Sequence, residues 1–63
     1  MDNKWEYAEL RLTHTGWAFT GPLGRTEFDE TETALDALNA VGRAGWEAYD
    51  QTASVVFLKR RVA

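Results

Sequence analysis

The sequence predicts a small α+β domain: an antiparallel sheet with one helix packed on one face, its elements in the order β-β-α-β-β, forming a single domain over residues 1–63. Three observations carry this. Residues 4–13 alternate at the two-residue period of a strand, and residues 54–62 are rich in β-branched and aromatic side chains. Between them Leu35, Leu38 and Val41, supported by Ala34 and Ala37, recur at helical spacing. The helical stretch closes on Gly45-Trp46-Glu47, which ties a helix end to a following strand through an indole expected to be buried.

In the first strand Trp5, Tyr7, Glu9 and Arg11 share one face, and Glu6, Ala8, Leu10 and Leu12 share the other. Aromatics begin on one face and aliphatics finish on the opposite one, which implies either a β-bulge near Ala8-Glu9 or a sheet covered on both sides. His14-Thr15-Gly16 reads as a short hairpin loop and residues 17–20 as the returning strand. Gly21-Pro22-Leu23-Gly24 is a turn, with proline at its second position to pre-set φ and glycine at its fourth. Asp29 is the expected helix N-cap, because Glu32 three residues on completes a capping box. Gly42 weakens the last turn, and Gly45 is expected in the left-handed conformation, so the helix should stop near Ala44. Residues 46–49 alternate again as a third strand, residues 50–53 connect, and residues 54–62 make the fourth.

A chain of 63 residues buries only about 60% of the surface that its unfolded form exposes. Natural domains of this size add a disulfide, a metal or a second subunit, and this chain has no cysteine and one histidine, His14. A second subunit remains. In the fourth strand Val56 and Leu58 occupy one side while Val55 and Phe57 occupy the other, and a single helix covers only one of them. A homo-oligomer is therefore expected, a dimer above other states. Ten acids against seven bases give a net charge of −3, which disfavours nucleic acid as a partner. No segment approaches the ~18 apolar residues that span a bilayer, and Met1-Asp2-Asn3-Lys4 leads into no signal-peptide core. A cytoplasmic protein without a membrane partner is expected.

Lys4-Trp5-Glu6-Tyr7, Leu38-Asn39 leading through Gly42 to Gly45-Trp46-Glu47, and Phe57-Leu58-Lys59-Arg60 together resemble the small bacterial proteins of the domain of unknown function 4177 family. Two features depart from its pattern: Ala48-Tyr49 replaces an aliphatic pair, and the Trp17 hairpin with its Gly-Pro turn is additional. The resemblance implies a small α+β domain and brings no catalytic residue with it.

The residues themselves offer no catalytic constellation. His14 has no cysteine or sequence-fixed carboxylate beside it, and Ser54 has no base to activate it. Glu27, Asp29, Glu30 and Glu32 have the charge for a divalent cation, but their place at a helix start is explained by capping and the helix dipole. Gly21-Pro22-Leu23-Gly24 lacks the lysine of a phosphate loop. The basic run Lys59-Arg60-Arg61 splits in a strand, Lys59 and Arg61 sharing a face with Phe57. These cations either blunt an edge strand and pair with Glu6 or Glu9, or join aromatics in a stacking platform. The sequence thus points first to a non-enzymatic module that self-associates through its sheet face or edge, without a cofactor. The alternative is a protein that binds a small ligand, a nucleotide or single-stranded nucleic acid. The surface for either comprises Trp5, Tyr7, Trp17, Val55, Phe57, Lys59 and Arg61, with Asp29, Gly45 and Trp46 in structural roles.

Overall fold

The alternating segment becomes the central strand of a five-stranded antiparallel sheet in the computed structural model, which describes residues 4–62. This strand, β1 (Trp5–Thr13), is followed by β2 (Gly16–Gly21), β3 (Gly24–Glu27), α1 (Ala34–Gly42), β4 (Glu47–Gln51) and β5 (Val55–Arg61). The strands lie in the order β3-β2-β1-β5-β4, every neighbouring pair antiparallel. An α+β domain with an antiparallel sheet is what the sequence led us to expect. The element order differs by one strand, β-β-β-α-β-β. Gly24–Glu27 has no apolar side chain and all four residues are exposed, so no periodicity announced it. Hairpin hydrogen bonding across the Pro22-Leu23 turn forms it instead.

Register decides which face each side chain takes. Leu10 lies opposite both Phe19 and Val56, and Ala8 lies opposite Leu58. Cross-strand partners share a face, so β1, β2 and β5 put Ala8, Leu10, Phe19, Val56 and Leu58 on one side. Ala37 and Val41 of α1 and the indole of Trp46 complete this core, with Trp17, Phe28 and Leu38 packed against it. Leu10 and Leu58 are fully buried. No bulge interrupts β1 near Ala8 and Glu9, since its register with β5 runs unbroken from Trp5 to Arg11 and its register with β2 from Glu9 to Thr13. The irregularity falls in β4, where Tyr49 is the extra residue between Ala48 and Asp50. The hydrogen-bonded pairing of β1 and β5 extends one step further, from the Val62 amide to the Lys4 carbonyl at 3.0 Å.

The helix begins four residues later than expected. Thr33, not Asp29, is its N-cap: the Thr33 hydroxyl accepts from the Asp36 amide, and the Asp36 carboxylate accepts from the Thr33 amide. Asp29 and Glu32 belong to a separate turn that precedes the helix: the Glu32 carboxylate accepts from the Asp29 amide, but the Glu32 amide donates to the Asp29 backbone carbonyl and the Asp29 carboxylate accepts from Thr31 instead. That turn exists because Phe28 is still tied to the sheet, its amide bonded to the Trp17 carbonyl at 2.9 Å. The apolar stripe is Ala34, Ala37, Leu38 and Val41, and Leu35, roughly a quarter-turn off it at 3.6 residues per turn, is exposed.

At the other end, the Trp46 amide bonds the Val41 carbonyl at 3.2 Å and the Gly45 amide bonds the Gly42 carbonyl at 2.9 Å. With Gly45 at φ +94°, this is a Schellman closure whose hydrophobic contact joins Val41 and Trp46. Trp46 is buried just before β4 rather than inside it, since the strand starts at Glu47. No helix among the described residues is long and apolar enough to cross a membrane. Met1, Asp2, Asn3 and Ala63, and with them the signal-peptide reading of the first residues, lie outside the described residues.

Candidate functional site

The sheet face away from α1 is built by the other parity of the same strands. Across the β1–β5 ladder Trp5 faces Arg61, Tyr7 faces Lys59, Glu9 faces Phe57 and Arg11 faces Val55. Six of the seven surface residues expected from the sequence therefore stand on one face. Trp17 does not: it pairs with Leu12 and packs against the core on the helix side. Its hairpin partner sets that parity, and a single strand cannot reveal it.

Tyr49 is the residue the sequence concealed. The bulge in β4 brings its ring beside Tyr7, edge to face, with centroids 6.1 Å apart. Lys59 completes the group, its ammonium 4.6 Å from the centroid of the Trp5 ring and 5.7 Å from that of Tyr49. A cation over an aromatic face is attracted by the ring quadrupole, so Lys59 is drawn to the rings of its own chain. Beside this cluster lies an open groove of about 460 Å³, lined by Tyr7, Tyr49, Phe57, Glu9, Thr20 and Pro22.

The exposed apolar surface differs from the expected one. Val55 is buried and Phe57 half-buried within the single chain, whereas Trp5, Tyr7 and Tyr49 remain 40%, 60% and 50% exposed. The cations meet one half of the expectation, since Arg60 pairs with Glu6, and not the other. β5 is an interior strand, so Lys59 and Arg61 blunt no edge; β3 and β4 are the edges. Arg60 points to the helix side and forks onto Glu6, at 2.7 and 3.0 Å, while it donates to the Ala44 carbonyl at 3.2 Å. Its guanidinium lies 4.5 Å from the Trp46 ring centroid. One side chain thus joins β1, β5, the helix end and the indole.

The chemistry of the remaining candidates is local. The Asp29 carboxylate accepts from the backbone N–H and the hydroxyl of Thr31, which hold it below the usual carboxylate range. The Glu9 carboxylate accepts from Arg11 Nε at 2.8 Å and so raises the guanidinium above its already high value. Among the described residues no three His, Cys, Asp or Glu side chains are grouped to hold a metal ion. His14 is exposed at the tip of the first hairpin, and Ser54 lends its backbone carbonyl to the Leu12 amide. Comparison with family models, with curated proteins and with solved structures finds no match.

Proposed function

We propose that this chain is a non-enzymatic interaction module that pairs with an identical subunit through the sheet face opposite α1. One observation carries the proposal: Trp5, Tyr7 and Tyr49 stand side by side and half-exposed on that face, while the core on the other face is closed by the helix. Contiguous aromatic surface of this kind marks an interface more often than a free monomer surface. The small size of the chain and its lack of cysteine point the same way, since a partner supplies the burial that the single core lacks. The resemblance to the unknown-function family adds nothing about chemistry, and the proposal does not depend on it.

Light scattering and sedimentation across the micromolar range test it. The expected mass is twice the 7.1 kDa of the chain, and Tyr7→Asp should return it to the single-chain value with the fold retained. A wild-type mass equal to one chain at every concentration would remove the proposal.

The open groove beside Tyr7 and Tyr49 favours a second reading, a small aromatic ligand or a nucleotide base stacked on the rings. Titration of the tryptophan fluorescence with nucleotides and short oligonucleotides separates the two. Saturable quenching that Trp5→Leu abolishes would favour the ligand, and its absence in a protein that dimerises would favour the subunit.

A further inference from the structure

The two edges of the sheet differ. β4 carries the bulge at Tyr49, a feature that turns an edge away from further pairing. β3 is regular, and all four of its residues are exposed. Hydrogen bonds to β2 alternate along an antiparallel ladder, and the Phe28 amide, bonded to the Trp17 carbonyl, sets their phase. Gly24 and Thr26 therefore turn their backbone groups towards β2, while Arg25 and Glu27 turn theirs outward, where no strand of the sheet follows. A groove runs beside this edge on the helix side. Two depressions of about 240 and 290 Å³ share Phe19, Thr26 and Trp46 and so adjoin. The first extends to Leu23 in the turn before β3, and the second to Phe28, Ala40 and Ala44 along the flank of α1.

Edge and groove together define what fills them. A strand added beyond β3 lies about 4.8 Å from it and exchanges backbone bonds with Arg25 and Glu27. Side chains facing these two lie on the sheet face away from α1, because Arg25 shares a row with Thr20 and Glu9, and Glu27 a row with Ala18 and Arg11. The residue facing Thr26 lies on the helix side, where a long apolar side chain reaches over the small threonine into the groove. Charge fixes the rest. Arg25 and Glu27 are 53% and 64% exposed and only loosely paired, at 3.8 Å. A strand with an acid facing Arg25 and a base facing Glu27 is attracted, and the reverse order is repelled. Read antiparallel from its N-terminus, the complementary segment is base, large apolar residue, acid. A second copy of β3 has the charges in this order, Arg25-Thr26-Glu27, but it brings only a threonine to the groove. The apolar walls therefore call for a different chain.

We propose that the β3 edge captures an extended segment of another protein, paired antiparallel, in which a large apolar residue stands between a base and an acid. Main-chain bonds give such strand addition its affinity, and the pocket for the alternate side chain gives it specificity. Charges on an edge strand commonly keep other strands away. A single sign would do so for any strand bearing the same sign, whereas one arginine and one glutamate on the same strand choose a register. The inference goes beyond the self-association proposed above and does not rest on it. It uses the edge opposite β4 and the side of the sheet that carries α1, so Trp5, Tyr7 and Tyr49 stay open to a second copy.

The probe is a capped peptide reading Thr-Val-Lys-Phe-Glu-Val-Thr, titrated into the full chain and followed by amide hydrogen exchange. Binding should saturate, and the Arg25 and Glu27 amides should become protected only when the peptide is present. Alanine in place of the peptide's phenylalanine should weaken binding about tenfold or more, since burial of the ring is lost. Exchanging its lysine and glutamate should weaken binding about threefold or more, and the double variant Arg25→Glu with Glu27→Arg should prefer the exchanged peptide. Arg25→Pro removes an outward N–H while leaving the ladder to β2, and should abolish binding. Thr26→Lys keeps every edge amide but sets a charge at the mouth of the groove, and should weaken binding about tenfold or more. Circular dichroism of each variant checks the fold. Absence of saturation at about 1 mM peptide would overturn the proposal, as would binding that leaves both amides unprotected or equal affinity for the phenylalanine and alanine peptides. Protection that appears without peptide and grows with protein concentration would assign the edge to a second copy and overturn it too. Dimerisation through the opposite face is read separately, by the effect of Tyr7→Asp on mass.

Discussion

At the level of single residues, the helix end shows how local chemistry and long-range packing meet. Gly45 adopts φ +94°, and a Cβ there would stand 3.4 Å from Arg60 Cδ, whereas a Cβ on Gly42 would meet nothing within 4 Å. Gly45→Ala should therefore destabilise by about 1 kcal/mol or more, and Gly42→Ala should be neutral or stabilising by roughly 0.5–1 kcal/mol. Urea unfolding of the two variants checks the opposite signs. Trp46 carries more, because its indole closes the Schellman turn, meets Phe19 edge to face at 5.4 Å and lies against the Arg60 guanidinium. Trp46→Ala should cost about 3–5 kcal/mol and leave a domain this small largely unfolded, seen as loss of the cooperative thermal transition. The positive φ of Gly45 was legible, because a glycine between a helical stripe and a strand has few other roles. The pairing of Arg60 with Glu6 was legible as one of two options for the basic run, but its reach to the Ala44 carbonyl and the Trp46 ring was not, since that exists only once β5 and the helix end are packed together.

At the level of elements, two similar capping signals compete within five residues. Glu32 accepts from the Asp29 amide, but only Thr33 and Asp36 form both bonds of a capping box, and only they open onto the stripe of Ala34, Ala37, Leu38 and Val41. Capping supplies a stop, and burial of the stripe decides where the helix runs. Thr33→Ala should cost about 1 kcal/mol by denaturant unfolding, with loss of helical circular dichroism in the partly unfolded range. The Asp29 turn reports through pH. Its carboxyl is held below the usual range, so its contribution is present above the unfolded-state value of about 3.9 and is lost as pH falls through the lower folded value. Asp29→Asn keeps the oxygen that accepts from Thr31 and removes this titration. Its thermal midpoint should fall less than that of wild type as pH drops from about 5 to about 2. An equal fall would show that the carboxylate charge contributes nothing there.

At the level of the whole molecule, which is 42 Å in its longest extent, one sheet carries a helix of nine residues and a core between them. Such a layer has two broad faces, and α1 serves one of them. If a second copy serves the other, stability is linked to concentration, because dimerisation draws the folded state away from unfolding by mass action. The thermal midpoint should rise with protein concentration over the micromolar range, and Tyr7→Asp should flatten that dependence. A midpoint independent of concentration in the wild type would argue against a dimer coupled to folding.

The sequence alone determined the features that depend on neighbours along the chain. These are the alternation of β1, the two hairpin turns, the helical stripe around Ala37 and Val41, and the glycine that ends the helix. Each follows from backbone sterics or from a period of two or 3.6 residues. Tertiary structure alone decided what depends on register. It formed β3 from Gly24–Glu27, where no side chain pattern exists, by hydrogen bonds to β2. It turned Trp17 to the core by pairing it with Leu12, and swung Tyr49 to Tyr7 through an extra residue in β4. A shift of one residue in any of these ladders would send every side chain of the strand to the opposite face. Which aromatics meet the solvent is therefore settled by pairing between segments distant in the chain, and no local pattern encodes it.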